Sequence, residues 1–198
     1  KFSWSPLGVL KALKSPSRSI KDFENFEVSR PWDAITSYTA PLNNPEEFEV
    51  YPNRDSIPFI EQYLFDRNWK IKQFVRGTLR LKGWAQAWAS IFNEIETLNG
   101  QAGEKRLIEM SEQFWRDNAY ADNEPDRVIL CVDLKAEQNN HVIWHKTYKM
   151  DAWGDTRGTA MARLVSHPVS FAVKAIIDDD TDHGVSAASS KSYLVDNW

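Results

Sequence analysis

Two arginines and a threonine on one predicted strand are the clearest candidates for chemistry in this sequence. Arg76, Thr78 and Arg80 share one strand face, with successive side chains about 6.7 Å apart. A guanidinium binds a carboxylate through two parallel hydrogen bonds, so such a face suits an acidic ligand. The alternative is a solvated or ion-paired surface in a chain with 28 acidic residues, and the spacing alone favours that alternative.

A third arginine lies in a turn that follows another predicted strand. The tetrapeptide Pro52-Asn53-Arg54-Asp55 is rich in turn residues and comes directly after the strand-like segment 48–51. Loop residues that a rigid scaffold holds in place are frequent ligand contacts. The alternative is a turn held by Asn53 or Asp55 with Arg54 free in solvent, and the turn taken alone favours that alternative.

Histidine and cysteine do not point to a metal or nucleophile site. The four histidines are His141, His145, His167 and His183. His141 and His145 fall on one face of a predicted strand but stand too far apart to chelate one metal ion. Cys131 lies in an apolar strand, so we expect a buried thiol rather than a nucleophile.

Composition and charge exclude several classes of protein. The 198 residues, 42% hydrophobic and 26% charged, are typical of one folded domain. A net charge of −4 disfavours a general nucleic-acid binder, and no stretch approaches the roughly 20 apolar residues of a membrane span. The single cysteine excludes an internal disulfide and fits the cytoplasm. No GxGxxG motif follows a strand, so no nucleotide-binding Rossmann unit is expected in this sequence.

The first half of the chain predicts helices and strands around these candidates. Ser5-Pro6 opens a helix whose apolar stripe includes Leu10 and Leu13. Segment 17–45 predicts one short strand and a helix over 32–38, and 48–51 predicts a second strand. Ser56 is expected to cap a helix that runs to Leu64.

The second half begins with a predicted continuous strand over 72–81, in which Leu79 and Leu81 share the apolar face. A helix follows, from residue 84 to the stop signal Asn99-Gly100. We expect a polar linker over 101–105, a helix over 106–117 and a solvated loop over 122–126.

The last part predicts a hairpin with strands over 127–136 and 141–153. A helical region then begins at Asp155 or Thr156, and His167-Pro168 should divide or kink it. Strands and helices are mixed without strict βαβ alternation. The expected fold class is therefore α+β, with a mixed or largely antiparallel sheet and helices packed on one face.

Three motifs resemble the saccharopine dehydrogenase (saccharopine reductase) family in their order and spacing. They are Lys1-Phe2-Ser3-Trp4-Ser5-Pro6, Tyr51-Pro52-Asn53-Arg54-Asp55-Ser56 and Arg76-Gly77-Thr78-Leu79-Arg80. The resemblance extends over nearly the whole chain. It implies that residues 1–198 are the C-terminal substrate domain of such an enzyme. It also implies that about 155–198 packs back toward a Rossmann domain outside this chain.

The resemblance also implies an activity. The family oxidises the secondary amine of saccharopine with NAD or NADP, which yields glutamate and aminoadipate semialdehyde in lysine metabolism. The residues expected to contact the substrate, a polycarboxylate amino acid, are Arg54, Thr78, Leu79 and Arg80. Trp4 and Ser5 are expected to line the nicotinamide end of the cofactor. The proton-transferring residues would lie outside this chain, so none is assigned here and the fragment alone is expected to be inactive.

The expected partners follow from the same resemblance: a homodimer in the cytoplasm, without nucleic acid or membrane. Two departures, Leu81 in place of an aromatic residue and Ser166-His167-Pro168 in place of a Gly-Leu-Pro-like turn, weaken the assignment of saccharopine itself. One alternative is a related amine or imine reductase, such as a carboxynorspermidine or homospermidine enzyme or lysine 6-dehydrogenase. Another is a non-catalytic dimerisation module.

Overall fold

Helices and antiparallel strands combine in this chain, which confirms the α+β prediction. The computed structural model describes residues 1–181 and 184–185. The helices are α1 (Pro6–Leu13), α2 (Pro58–Gln62), α3 (Trp84–Thr97), α4 (Gly100–Asp117) and α5 (Ala160–Ile177). A short 3-10 turn spans Pro31–Ala34.

The strands of the described residues form three small sheets rather than one. They are β1 (Ser17–Lys21), β2 (Glu24–Val28), β3 (Thr36–Ala40), β4 (Glu46–Pro52), β5 (Gln73–Phe74), β6 (Gly77–Leu81), β7 (Arg127–Gln138) and β8 (His141–Trp153). The sheets run in the orders β2-β1-β5, β3-β4-β6 and β7-β8, and all of these strand pairs are antiparallel.

The two faces of sheet β3-β4-β6 meet different layers. Tyr51 on β4 packs into the main core with the buried side chains of α1, α3 and α4, among them Leu10, Ile95 and Leu107. Phe48, three residues earlier, points to the other face because side chains alternate along a strand. It packs there in a smaller cluster that Ile129 of the hairpin joins. The sheet therefore lies between the helices and the hairpin.

The start of the chain folds as its sequence predicts. Ser5 caps α1, because its Oγ accepts a hydrogen bond from the Gly8 backbone N–H at 3.3 Å. Segment 17–45 is richer in strands than predicted, since β1, β2 and β3 all fall within it. The predicted helix over 32–38 is wrong beyond the short 3-10 turn, because Thr36 and Tyr38 belong to β3 and pair with β4.

The predicted strand 72–81 is two strands in two sheets. β5 pairs with β1 and β6 pairs with β4, so the apolar alternation is broken between them. Leu81 was expected on the buried face but is 70% exposed. Gly77 allows the close approach of β6 to β4, because a Cβ there would lie 2.7 Å from Val50 Cγ2.

Ser56 does not cap α2. Its side chain is fully buried, and its Oγ accepts a hydrogen bond from the Arg76 backbone N–H at 3.0 Å, at the break between β5 and β6. α2 begins at Pro58 instead and ends at Gln62, before the predicted end at Leu64. Ser56 thus joins two parts of the chain that are distant in sequence.

The predicted linker over 101–105 is helical, since α4 begins at Gly100 and runs without interruption. Gly103 serves packing rather than flexibility: a Cβ there would lie 2.7 Å from the Leu98 carbonyl carbon. Gly103 therefore permits the start of α4 to pack closely against the end of α3.

The predicted solvated loop 122–126 ends in a buried carboxylate. Asp126 is 1% exposed, and it accepts hydrogen bonds from the backbone N–H groups of Ala160 at 2.6 Å and Met161 at 3.0 Å. Its carbonyl oxygen accepts another from the Gly154 N–H at 2.8 Å. Asp126 therefore connects the start of β7, the end of β8 and the start of α5.

α5 begins at Ala160, with Thr159 as its cap, and not at Asp155 or Thr156. It continues through Pro168 to Ile177, so the division into two helices is wrong. In the described part of the chain, one helix, α5, is long and apolar enough by length and composition to cross a membrane, although the sequence predicted no such segment. Residues 182–183 and 186–198 lie outside the described residues, and the packing of about 155–198 toward a Rossmann domain stays a prediction.

The predicted hairpin is confirmed and is longer than expected. Only Asn139 and Asn140 separate β7 from β8, with φ values of 52° and 61° that suit a two-residue turn. The register shifts between Ala136 and Glu137. Cys131 packs half-buried against the smaller cluster.

Replacing Asp126 with alanine is expected to lower the free energy of unfolding by about 3 kcal/mol, because two backbone N–H groups lose their acceptor. Urea denaturation would measure this loss. Asp122→Ala, at an exposed position of the same loop, is the control and should change stability by less than about 0.5 kcal/mol. Equal effects of the two variants would contradict the role of Asp126.

Asp155 makes the stability of the fold depend on pH. Hydrogen bonds from Arg157 lower the pKa of Asp155 from 3.8 to about 2. Because the folded pKa is the lower one, the ionised carboxylate stabilises the fold above about pH 4, and this stabilisation is lost as the pH falls through about 2. We expect the Tm advantage of the wild type over Asp155→Asn to disappear across that window. An advantage that persists below it would contradict the assignment.

Candidate functional site

The turn that carries Arg54 and the strand that carries Arg80 are neighbours. β4 pairs with β6 so that Pro52 lies opposite Gly77 and Glu49 lies opposite Arg80. The Asn53 N–H also donates to the Arg76 carbonyl oxygen at 2.8 Å. The structure thus places the turn after β4 beside the start of β6.

An ion pair and backbone hydrogen bonds hold this turn. Arg18 on β1 donates from Nε and Nη2 to the two carboxylate oxygens of Asp55, at 3.2 and 2.6 Å. The same hydrogen bonds hold the pKa of the Asp55 carboxyl below its usual value. The Arg18 N–H donates to the Arg54 carbonyl oxygen at 3.0 Å, and the Ser56 N–H donates to the Arg18 carbonyl oxygen at 2.7 Å.

Arg54 itself remains open to a ligand. Its backbone adopts φ 55°, a left-handed conformation that is uncommon for a residue with a side chain. Its side chain is exposed and has no ion pair among the described residues. The bonds around it fix the backbone of the turn and leave the guanidinium free.

Arg80 is held more closely than Arg54. Its Nη2 donates to Tyr51 Oη at 3.1 Å, and its guanidinium lies over the ring of Trp84, 5.3 Å from the centroid. Within residues 1–181 and 184–185, Arg80 has no carboxylate partner, and its buried Nε has no hydrogen-bond partner. An oriented guanidinium with a free, partly dehydrated donor is suited to bind a carboxylate.

The two residues before Arg80 have different orientations. Thr78 lies opposite Tyr51 and shares the face of Arg80. Leu79 points to the other face, where its side chain packs against the cluster around Phe48. Any contact of Leu79 with a ligand on the Arg80 face must therefore come from its backbone. β6 is an edge strand in the described sheet, so it has backbone groups to offer on its outer side.

The remaining arginine of the predicted polar face is directed to α2. The Arg76 guanidinium stacks over the ring of Phe59 at 3.6 Å from its centroid. Arg76 is exposed and has no ion pair in the described part of the chain. It contributes positive charge at the start of β6, near the Arg54 turn.

Trp4 and Ser5 lie at a separate cleft of about 650 Å³. Its lining consists of Ser3, Trp4, Ser5, Pro6, Ser111, Glu112, Trp115 and Arg116. Trp4 and Trp115, from the N-terminal segment and α4, are each about half exposed. None of the four predicted substrate residues lines this cleft, so the structure does not bring the two predicted sets together.

Sequence reasoning missed the residues that orient Arg80. Tyr51 was identified as a strand residue and as part of a family motif, and Trp84 as the start of a helix, but neither as a partner of Arg80. The signal that could have found Tyr51 is the register, since it lies diagonal to Arg80 on the same face. Nothing in the sequence indicates that Trp115 and Arg116 line the cleft, because only the packing of α4 brings them to Trp4.

No group of three or more His, Cys, Asp or Glu side chains that could hold a metal ion occurs within residues 1–181 and 184–185. His145 instead lies 2.7 Å from Asp133 Oδ1 on the hairpin. His183 is outside the described residues. The candidate site is therefore a set of cations and aromatic rings.

A solved structure shares the fold of this chain, and curated proteins are similar to it in sequence. The structure of apo histidine-tagged saccharopine dehydrogenase (L-Glu forming) from Saccharomyces cerevisiae matches all of this chain with a TM-score of 0.75 and 22% identity. The chain covers 58% of that solved chain.

Two curated relatives have higher local identity. Saccharopine dehydrogenase [NADP(+), L-glutamate-forming] of Pyricularia oryzae is 38% identical over 86 residues, which are 43% of this chain and 18% of the relative. Mitochondrial alpha-aminoadipic semialdehyde synthase of Mus musculus is 36% identical over 88 residues, 44% of this chain and 9% of the relative.

A longer but weaker match is to saccharopine dehydrogenase [NADP(+), L-glutamate-forming] of Saccharomyces cerevisiae, 24% identical over 90% of this chain and 54% of the relative. The chain thus spans about half of that relative and less of the other two. The model of the saccharopine dehydrogenase C-terminal domain matches residues 1–194. Because that match extends over almost the whole chain, the protein belongs to the saccharopine dehydrogenase C-terminal domain family.

Proposed function

We propose that this chain is the substrate-binding part of an NAD- or NADP-dependent oxidoreductase that acts on saccharopine. The observation that carries the proposal is the state of Arg80, a half-buried guanidinium with a fixed orientation and no carboxylate partner among the described residues. Arg54, on the adjoining turn, is a second unpaired cation. Saccharopine has three carboxylates, so two charge-assisted clamps can bind and orient it.

In this proposal the chain's own residues bind and position the substrate. Arg54 and Arg80 each hold a carboxylate, and the backbone of 78–80 supplies further hydrogen bonds along the edge of β6. Trp4 and Ser5, at a cleft separate from the two arginines, would line the nicotinamide end of a bound cofactor, and that cofactor would supply the hydride acceptor for the oxidation. The C–N bond is thereby oxidised to an imine, and water then divides the product into glutamate and aminoadipate semialdehyde.

The alternatives differ in how many carboxylates the ligand carries. A related amine or imine reductase acting on a substrate with fewer carboxylates would leave one of the two arginines without a role. A non-catalytic dimerisation module would require neither of them. The effects of single arginine substitutions on different substrates therefore separate the three functions.

Arg80→Ala and Arg54→Ala in the full-length gene product are each expected to lower kcat/KM for saccharopine about 30-fold, roughly 2 kcal/mol. The measurement is saccharopine-dependent reduction of NAD+ and of NADP+, with the 198-residue chain assayed beside it and expected to be inactive.

Arg67→Ala is the matched control, because the Arg67 side chain is 94% exposed and its ion-pair distance is 3.9 Å. An unchanged kcat/KM in both site variants would contradict the proposal. A loss in only one of them would favour an amine substrate with fewer carboxylates.

A homodimer is the second part of the proposal, and the hairpin supports it. One face of β7–β8 exposes a row of apolar side chains that includes Leu130, Val132, Leu134, Trp144 and Tyr148. A two-stranded ribbon with such a face gains stability when another surface covers it. A second copy related by a two-fold axis would cover it with an identical surface. α5, also largely exposed, is proposed to pack toward the nucleotide-binding domain of the whole cytoplasmic protein.

Leu130→Asp is expected to dissociate this dimer, because a charge would be buried in the apolar interface. Light scattering during gel filtration would show the wild-type chain at twice 22.9 kDa and the variant at 22.9 kDa. Ile108→Asp, the same kind of change at an exposed position of α4, should leave the dimer intact. A monomeric wild type, or equal effects of both variants, would contradict the interface.

A further inference from the structure

We propose that Tyr51 and Glu49 are positioning residues for Arg80: Tyr51 fixes its guanidinium, and Glu49 leaves it unneutralised by binding to the start of α3 instead. The inference rests on the proposed role of Arg80 as a carboxylate clamp. Neither residue contacts the ligand in this account. Both act through Arg80, from the neighbouring strand β4.

The position of Glu49 makes an ion pair with Arg80 the expected arrangement. The two residues lie directly opposite each other in the antiparallel register of β4 and β6, so their side chains leave the sheet on the same face. Side chains so placed start about 5 Å apart, and opposite charges there normally attract. The described residues nevertheless contain no ion pair between them.

The Glu49 carboxylate binds the start of α3. Its Oε1 accepts from the Gly83 N–H at 2.9 Å, and its Oε2 accepts from the Ala85 N–H at 2.7 Å. The first N–H groups of a helix have no acceptor within the helix, and the helix dipole favours a negative charge at that end. Gly83 adopts φ 84°, a conformation that glycine reaches without strain and that begins the helix beside Glu49.

Tyr51 holds the guanidinium that Glu49 does not neutralise. Tyr51 is 2% exposed and stacks on Trp84, with centroids 5.3 Å apart and planes at 16°. Its Oη accepts from Arg80 Nη2 at 3.1 Å. Since Tyr51 is part of the main core, the acceptor cannot move without disturbing that core.

The two effects together leave most of the Arg80 guanidinium without an acceptor among the described residues, because one of its five N–H donors, on Nη2, is bonded to Tyr51. Nη2 is engaged by Tyr51, while Nε is buried and unpartnered in the part of the chain that the structure describes. The guanidinium thus has a fixed orientation, unpaired donors and no described carboxylate beside it, which suits it to bind a ligand carboxylate. Residues of β4 thereby orient the Arg80 side chain on β6 and leave its charge unpaired.

The first test is Tyr51→Phe, which removes Oη and keeps the ring stack on Trp84. In the 198-residue chain without ligand, NMR is expected to show a shifted Arg80 Nε–Hε resonance and faster rotation about its Nε–Cζ bond. Titration with saccharopine is expected to show binding weakened about fivefold, the loss from one hydrogen bond. Tyr38→Phe, on β3 at the opposite face of the same sheet, is the matched control and should change neither.

The second test is Glu49→Gln, with Glu47→Gln as its control on the same face of β4. Glu49→Gln removes the negative charge that binds the start of α3, which includes Trp84. Because Trp84 then holds Arg80 less firmly, saccharopine binding is expected to weaken about threefold. Stronger binding would overturn the proposal, since it would mean that Glu49 had been neutralising Arg80.

The two proposals fail in different ways. Absence of saccharopine binding by both the wild-type chain and the full-length protein would contradict the proposed function. An Arg80 resonance and rotation rate that are the same in Tyr51→Phe as in the wild type would overturn the positioning role, whether or not saccharopine binds. Far-UV circular dichroism of each variant checks that the fold is kept.

Discussion

The pairing of β4 with β6 is the constraint on which the rest of the candidate site depends. Its register places Tyr51 opposite Thr78 and Glu49 opposite Arg80, and it brings the turn after β4 beside the start of β6. A shift of one residue would turn Arg80 toward the hairpin and send Leu79 toward the helices. The register is fixed from both sides, because Tyr51 is buried among α1, α3 and α4 while Phe48 is buried against the hairpin.

Three carboxylates at junctions of this fold accept hydrogen bonds from backbone N–H groups. Asp126 joins the hairpin to α5, Glu49 joins β4 to α3, and Asp55 accepts the Ile57 N–H before α2. Each bond satisfies a donor at a helix start, where the helix itself provides no acceptor. Arg80 lies opposite Glu49 in the strand register but is not paired with it, while Glu49 binds the start of α3.

The exposed apolar surfaces are concentrated on the last elements of the described chain. The outer face of the hairpin and much of α5 carry large apolar side chains that no described element covers. The candidate substrate residues lie elsewhere, on the β3-β4-β6 sheet between the helices and the hairpin. This division fits a domain that binds a small molecule on one part and other protein surfaces on another, as the proposed function requires.

The sequence by itself determined the family, the α+β class, α1, β4, α3 and the hairpin, because each has a local signal: motif spacing, a Ser-Pro helix start, or strand-like runs on both sides of a short polar segment. It also identified Arg54 and Arg80. Only the tertiary structure decided the division of 72–81 into β5 and β6, the burial of Asp126 and the roles of Glu49 and Tyr51. These depend on which strands pair and which backbone donors need an acceptor, and such contacts between distant residues leave no local pattern.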